Sequence, residues 1–490
     1  MTSSSPIARW FSVFHQHHPK WILPVAVLLC GTIVRWAVAL NPYSGCNTPP
    51  LFGDYEAQRH WMELTIHLPT NQWYTYDLQW WGLDYPPLTA FHSWLCGTIG
   101  NWLNPDWFAL DASRGYESPD SKFFMRSTVF FSEMLIYVPA IYWFCQIRYS
   151  EQKDKMFAFL LILMQPALIM IDHGHFQFNS VMLGFALWAV NLLLTEYYIL
   201  GSIAFCLSLG FKQMALYYAP VMFAFLLGRC FEKPTLPERL LLFAKLGVTV
   251  LVTMGLLFSP WLSSVDLFAQ AIHRIFPLAR GLYEDKVANV WCAVNVIIKL
   301  RNILSLEAAV RLSLLATLAA ILPINIHLGC RPSQCRFKYA LVSTSLAFFL
   351  FSFQVHEKSI LLPLMPATLL LQEEANAVIL FTNMAIFSMY PLLKREELVL
   401  PYFATAFMWN WMIGYPKNLK TMPTFEWFMH LASLTTIAVW HIAESVVTPP
   451  PRWPDLFTVI NAVVSCGFFV LLLLYFVYRQ FMPEEKIKKQ

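Results

Sequence analysis

The stretch Gly53-Asp54-Tyr55-Glu56-Ala57-Gln58-Arg59-His60-Trp61-Met62-Glu63 holds three acids, an arginine and a histidine in a chain that is only 13% charged. Carboxylates so placed can take a proton from a hydroxyl, and arginine, lysine and histidine can hold a phosphate. A second polar knot, Leu83-Asp84-Tyr85-Pro86-Pro87-Leu88, follows along the chain. Three further clusters have matching chemistry: Asp172-His173-Gly174-His175-Phe176-Gln177-Phe178-Asn179; the group His273, Arg274, Arg280, Glu284, Asp285 and Lys286; and His356-Glu357-Lys358. Carboxylates facing cationic loops suit a transfer reaction from a lipid phosphate.

Each cluster also has a plainer reading. Asp172 with His173 and His175 could hold a metal, although successive positions do not share one helix face and no third firm ligand is evident. Hydrogen bonding among these side chains and to a substrate is the preferred alternative. His356–Lys358 could cap a helix at a membrane surface, and the basic residues between 273 and 286 could bind anionic headgroups. What favours function is that all the clusters fall on one side of the membrane once the apolar segments are counted.

Those segments must position the clusters. The chain has 490 residues, 57% of them hydrophobic and 16% aromatic, with a mean hydropathy of +0.49. Such values describe an all-α polytopic membrane protein rather than a soluble domain. About 14 spans are expected, at 22–40, 127–147, 156–171, 180–195, 197–211, 213–228, 243–261, 308–326, 338–354, 359–372, 376–391, 399–414, 425–445 and 456–478. Lysine and arginine cluster at Arg148–Lys155, Arg229–Lys245 and Arg331–Lys338, which the positive-inside rule places in the cytosol with both termini. Keeping Arg331–Lys338 there requires that Val287–Leu300 not cross. The tail 479–490 ends Lys486-Ile487-Lys488-Lys489-Gln490, either a dilysine-type retrieval signal or a basic membrane flank, and cytosolic in both cases.

The chain then reads as a single membrane domain with two sizeable luminal loops. Loop 41–126 is predicted to carry two amphipathic helices at the interface, over 54–67 and 88–103, with Glu63 on a solvated face. Trp73, Tyr74, Trp80, Trp81 and Tyr85 are expected mainly as interfacial anchors. Loop 263–307 contains the non-crossing helix. Cys46 and Cys292 both fall on this side, so a disulfide between them is open.

No Gly-rich phosphate cradle is present, and Asp77-Leu78-Gln79 does not make a D-x-D pair. A soluble nucleotide-sugar donor and a nucleic-acid partner are therefore not expected, and a lipid-carried donor in the bilayer fits better. A transporter of lipid-linked sugar is the rival class, but transporters place ionisable groups at mid-membrane. Here the charges sit at the ends of the spans.

The segments GDYEAQRHWME (53–63), LDYPPLTAFHS (83–93), DHGHFQFN (172–179), FPLARGLYEDKVANVWC (276–292) and VHEKSIL (355–361) resemble the endoplasmic-reticulum dolichyl-phosphate-glucose glucosyltransferases of N-glycan assembly. EAQRHWME resembles the branch that adds the first glucose, in α-1,3 linkage, to the nine-mannose dolichyl-diphosphate oligosaccharide. The sister branch, which adds the second glucose, shares DYPP and EDKVAN. The resemblance implies a glycosyltransferase C-type fold and inversion from a β-linked dolichyl-phosphate glucose, with no metal or other cofactor. It also implies Asp54 as general base and His356 near the donor phosphate. Lys358 is expected beside that phosphate, with Arg274, Arg280 and Lys286 as further candidates. Glu56, Arg59, Asp84, Tyr85, Asp172, His173, His175, Gln177 and Asn179 are expected to bind substrate.

Overall fold

Serine or threonine followed by a polar or proline turn starts most of the long helices. Ser118, Thr235, Ser305 and Ser333 each accept a backbone N–H with their side chains and so cap Pro119–Arg148, Leu236–Phe258, Leu306–Cys330 and Gln334–Phe351. Such caps satisfy donors that the first helical turn leaves unpaired. The computed structural model describes residues 5–17, 19, 21–276, 286–417, 419 and 422–483, and among them there are helices and turns but no strand.

Seven helices are long and apolar enough to cross a membrane, and the bent pair Gln152–Leu163 with Pro166–Phe176 makes an eighth candidate. The protein is thus an all-helical polytopic membrane protein. The remaining six expected segments fall on helices of 8 to 23 residues that do not meet the same criterion. Their apolar runs are short or interrupted by polar residues. Several are packed inside the bundle: of Asn179–Leu194 only a few residues reach the surface. Leu236–Phe258 is the opposite case. Only Leu246 and Phe258 are buried on it, so its leucines and valines face outward, as a lipid-contacting helix requires.

A buried ion network ties three of these elements together. Arg35 donates from Nε and Nη2 to Glu133 at 2.6 and 2.7 Å, and His173 Nε2 lies 2.6 Å from the same carboxylate. All three side chains are almost fully inaccessible. Buried charges persist only when paired in this way.

Between the first two long helices lie Gly53–His67 and Pro87–Leu103. The second presents Trp94, Ile99 and Trp102 outward and buries Cys96, Gly97 and Gly100, the expected amphipathic pattern. The first differs from the expectation. Every residue from Tyr55 to Thr65 is buried, so this is an interior helix and not one lying on a surface. Trp73 and Tyr74 are likewise packed inside, against Trp261, rather than serving as interfacial anchors. Val290–Ile297 has eight residues, a length of about 12 Å at helical rise, too short to cross. Cys46 and Cys292 are both free thiols, so the possible disulfide between them is not formed. Lys486 and Lys488 lie outside the described residues.

Candidate active site

Asp54 is delivered by a turn that few sequences tolerate. Gly45, Phe52 and Gly53 all have positive φ, at 79°, 57° and 66°. A Cβ on Gly45 would stand 2.0 Å from the Phe52 carbonyl, and one on Gly53 would stand 2.8 Å from the Ser44 backbone. Glycine at both positions lets the two strands of the loop touch. Ser44 Oγ then accepts the Asp54 N–H at 3.3 Å, and the carboxylate is held at the start of its helix.

The opposite wall comes from a break in the Pro166–Phe176 segment. Met170–Phe176 is a π-helical turn, and it ends at Phe176 with φ of +87°. A non-glycine residue in this region costs of order 1–3 kcal/mol and persists only where its surroundings enforce it. Here the Phe176 ring packs on Tyr55 at 4.8 Å, with the Arg126 guanidinium 5.7 Å from its centroid. The break lets His175 and Gln177 both face Asp54.

Three polar groups converge on Asp54 Oδ2: His175 Nε2 at 3.0 Å, Gln177 Nε2 at 2.5 Å and Lys358 Nζ at 2.5 Å. Among the described residues Oδ1 takes no hydrogen bond. Burial alone pushes the Asp54 carboxyl up. The Lys358 ammonium and His175 outweigh it and hold the group well below the usual carboxylate range. For Lys358, burial pulls down, and the Asp54 carboxylate more than restores the ammonium, leaving its pKa raised.

A cavity of about 820 Å³ opens in front of this pair. Asp54, Asp84, Tyr85, His175, Gln177, Asn179, His356 and Lys358, all expected as site residues, line it. Two residues that sequence reasoning missed line it too. Glu396 accepts from His175 Nδ1, with oxygens at 2.6 and 2.8 Å, and so fixes a proton on that nitrogen. Lys212 is 4% exposed and donates to Gln177 Oε1 at 2.9 Å and Asn179 Oδ1 at 2.8 Å. Burial draws its pKa down to about 8. A signal existed for both. The same count of spans that puts 172–179 and 355–359 on one side also puts residue 212 and the link 392–398 there.

Other expected site residues lie elsewhere. Glu56 and Arg59 do not line the cavity. Arg59 donates to both oxygens of Glu56 at 2.6 Å, pairs with Glu63 at 2.7 Å and donates to Ser113 Oγ at 2.6 Å. Glu63 is fully buried in this cluster, not solvated, because Arg59 and the Asp111 N–H satisfy it. Asp172 spans to the next helix, accepting from the backbone N–H groups of Asn179 and Ser180 at 3.1 and 2.6 Å. His173 belongs to the Arg35–Glu133 network. Arg274 donates to the carbonyls of Gly82 and Leu83 and thereby braces the first loop. Lys286 pairs with Asp455. Arg280, Glu284 and Asp285 lie outside the described residues. No three His, Cys, Asp or Glu side chains among the described residues converge at metal-ligating spacing.

The Arg59 cluster makes a stability prediction. Arg59→Met leaves Glu56 and Glu63 buried without their counter-charge, which costs about 3–5 kcal/mol. A clearly lower thermal midpoint in detergent is expected, with the KM of the folded fraction unchanged. A raised KM at unchanged midpoint would return Arg59 to the substrate.

With the cavity and its carboxylate–ammonium pair in view, likeness to known proteins adds the decisive fact. The family model described as "ALG6, ALG8 glycosyltransferase family" matches residues 31–475. The chain belongs to that family. It is similar to the Gallus gallus dolichyl pyrophosphate Man9GlcNAc2 alpha-1,3-glucosyltransferase, 45% identical over 93% of this chain and 96% of that protein's length. The Saccharomyces cerevisiae protein of the same name is 41% identical over 99% of this chain and 96% of its own. The Rattus norvegicus one is 44% identical over 93% and 96%. The family match spans both polar walls of the cavity, from Asp54 to Glu396.

Proposed function

We propose that this protein transfers glucose from dolichyl β-D-glucosyl phosphate to Man9GlcNAc2-diphosphodolichol in α-1,3 linkage, the first glucosylation of the N-glycan precursor, in the endoplasmic-reticulum membrane. The observation that carries this reading is the Asp54–Lys358 pair at the head of the cavity. It puts a base and a phosphate-compensating cation on one wall, in a chain whose relatives are named dolichyl pyrophosphate Man9GlcNAc2 alpha-1,3-glucosyltransferases.

The rest of the cavity suits a lipid-borne donor. Leu216, Val310, Leu314, Phe348 and Phe353 line its other flank, and Leu314 stands 56% exposed toward the outside of the bundle. A polyprenyl chain can lie along such a surface while its phosphate meets Lys358 and His356. The acceptor C3 hydroxyl attacks glucose C1 from the face opposite the phosphate. The new C1–O bond forms as the C1–phosphate oxygen bond breaks, so β becomes α. Asp54 takes the hydroxyl proton, and the electron pair leaves on dolichyl phosphate. The leaving phosphate needs charge compensation more than protonation. The protein is read as a single glycosyltransferase C-type unit of about 14 spans, in which packed shorter helices also cross. Loops 41–126 and 263–307 and the active site face the lumen, and both termini, including 479–490, are cytosolic.

The test offers purified protein synthetic donor with either the unglucosylated or the monoglucosylated acceptor, before and after exhaustive chelation. Extension of the unglucosylated acceptor alone, unaffected by chelation, is expected. Extension of the monoglucosylated acceptor would place the protein with the second-glucose enzymes. Loss of activity restored by a divalent ion would overturn the metal-free mechanism. Movement of donor across vesicles without a new glycosidic bond would make it a transporter.

A further inference from the structure

Lys212 sits at the break between Tyr198–Phe211 and Gln213–Tyr218, buried, with the centroid of the Tyr85 ring 4.8 Å from its Nζ. A buried ammonium is costly unless its donors are satisfied. Among the described residues its hydrogen-bond acceptors are two amide oxygens, Gln177 Oε1 and Asn179 Oδ1. An ammonium donates and never accepts, whereas a side-chain amide does one from each end. Each amide must therefore turn its oxygen toward Lys212 and its nitrogen away. Asn179 Nδ2 consequently donates to Asp172 Oδ1 at 3.0 Å, and Gln177 Nε2 donates to Asp54 Oδ2 at 2.5 Å. Without the cation the Gln177 amide loses the partner that anchors its oxygen, and its orientation toward Asp54 rests on the Nε2 contact alone.

We infer that Lys212 is a positioning residue that acts through Gln177 to aim the Asp54 carboxylate at the acceptor hydroxyl. The inference rests on Asp54 being the base. It extends the site to a residue that makes no hydrogen bond to Asp54 itself.

Lys212→Met keeps the aliphatic stem and removes the donors. In the purified full-length protein it is expected to lower kcat about 10–100-fold while leaving the KM of both substrates within about threefold. Gln177→Leu should do the same, and the double variant should lose no more than the worse single one, since both break one chain of contacts. In either variant Asp54 loses a hydrogen bond to its charged form, so the acid limb of the pH profile moves to higher pH. Lys212→Arg keeps the donors and should recover much of the loss.

A raised KM with unchanged kcat in Lys212→Met would make Lys212 a substrate contact and overturn the inference. Losses that multiply in the double variant would overturn it as well. If Lys212→Met does not fold, Gln177→Leu decides. It leaves Lys212 its Asn179 contact and gives Asp54 no donor, so unchanged kcat and an unmoved acid limb refute the relay. Asp54→Asn in the same assay separates the two layers. An active Asp54→Asn enzyme sinks the base and the relay together, while an inactive one beside a fully active Lys212→Met sinks the relay alone.

Discussion

Asp54→Asn is expected to reduce kcat by about 10²–10⁴-fold, the usual contribution of a positioned general base. Asparagine has the shape of aspartate and can still accept from Gln177 Nε2, so the helix start and the Ser44 contact should survive. What disappears is the site for the acceptor proton. Lys358 loses its carboxylate and gains freedom to meet the donor phosphate, so donor affinity should hold or rise. Single-turnover transfer alongside donor titration checks both halves of this expectation. Near-normal turnover would remove Asp54 from the mechanism. The wild-type enzyme carries a related signature. Because the folded-state pKa of Asp54 is depressed, its carboxylate stays ionised as pH falls through the ordinary carboxylate range. Activity that depends on it should decline only below that range.

Lys358→Met has the second-largest expected effect, and it combines two consequences. Lys358 is the leading cause that holds the Asp54 pKa down, so its removal lets that pKa rise, and the acid limb should move to higher pH. At pH above that limb, kcat should still be lower, by about 10²–10³-fold, the loss typical of one removed donor to a developing charge. The geometry explains why one residue serves both ends of the reaction. With Nζ 2.5 Å from Asp54 Oδ2 and 2.9 Å from His175 Nε2, Lys358 pairs with the base and neutralises it. Drawn toward a donor phosphate, it leaves the carboxylate more basic when the acceptor is present. A pH profile of kcat/KM for wild type and Lys358→Met separates the two consequences. An unmoved acid limb together with unchanged kcat would exclude Lys358 from both roles.

How legible the site was depended on whether a residue's environment is local. Asp54 stood out because a polar run beside an apolar helix is visible in a short window, and His175 and Gln177 because they lie in a polar link between two spans. The neighbours Asp172 and His173 carry the same residue types yet go to a helix cap and to Glu133. Helical spacing puts successive residues on different faces, and only the packing shows which face meets the cavity. Glu56, Arg59 and Glu63 misled for the same reason. Their i, i+3 and i, i+4 spacing permits a self-contained ion cluster, and burial of the whole helix enforces it. Lys212 was missed as a lone charge in a short link and Glu396 as one of four successive charges, Lys394-Arg395-Glu396-Glu397, settings where a solvated reading is the ordinary one.

By itself, the sequence determined the class of molecule, its helical segments, its family and the residue types available for transfer. Hydropathy, capping and motif chemistry are properties of short stretches, and short stretches carry them intact. Tertiary structure alone decided which of those residues meet. Asp54 and Lys358 are 304 positions apart, and His175 and Glu396 are 221 apart. No local rule fixes such pairs. They form because the glycine turn at Gly53, the strained break at Phe176 and the packing of the shorter helices bring four chain segments to one end of the bundle, where each buried charge finds the partner that makes its burial affordable.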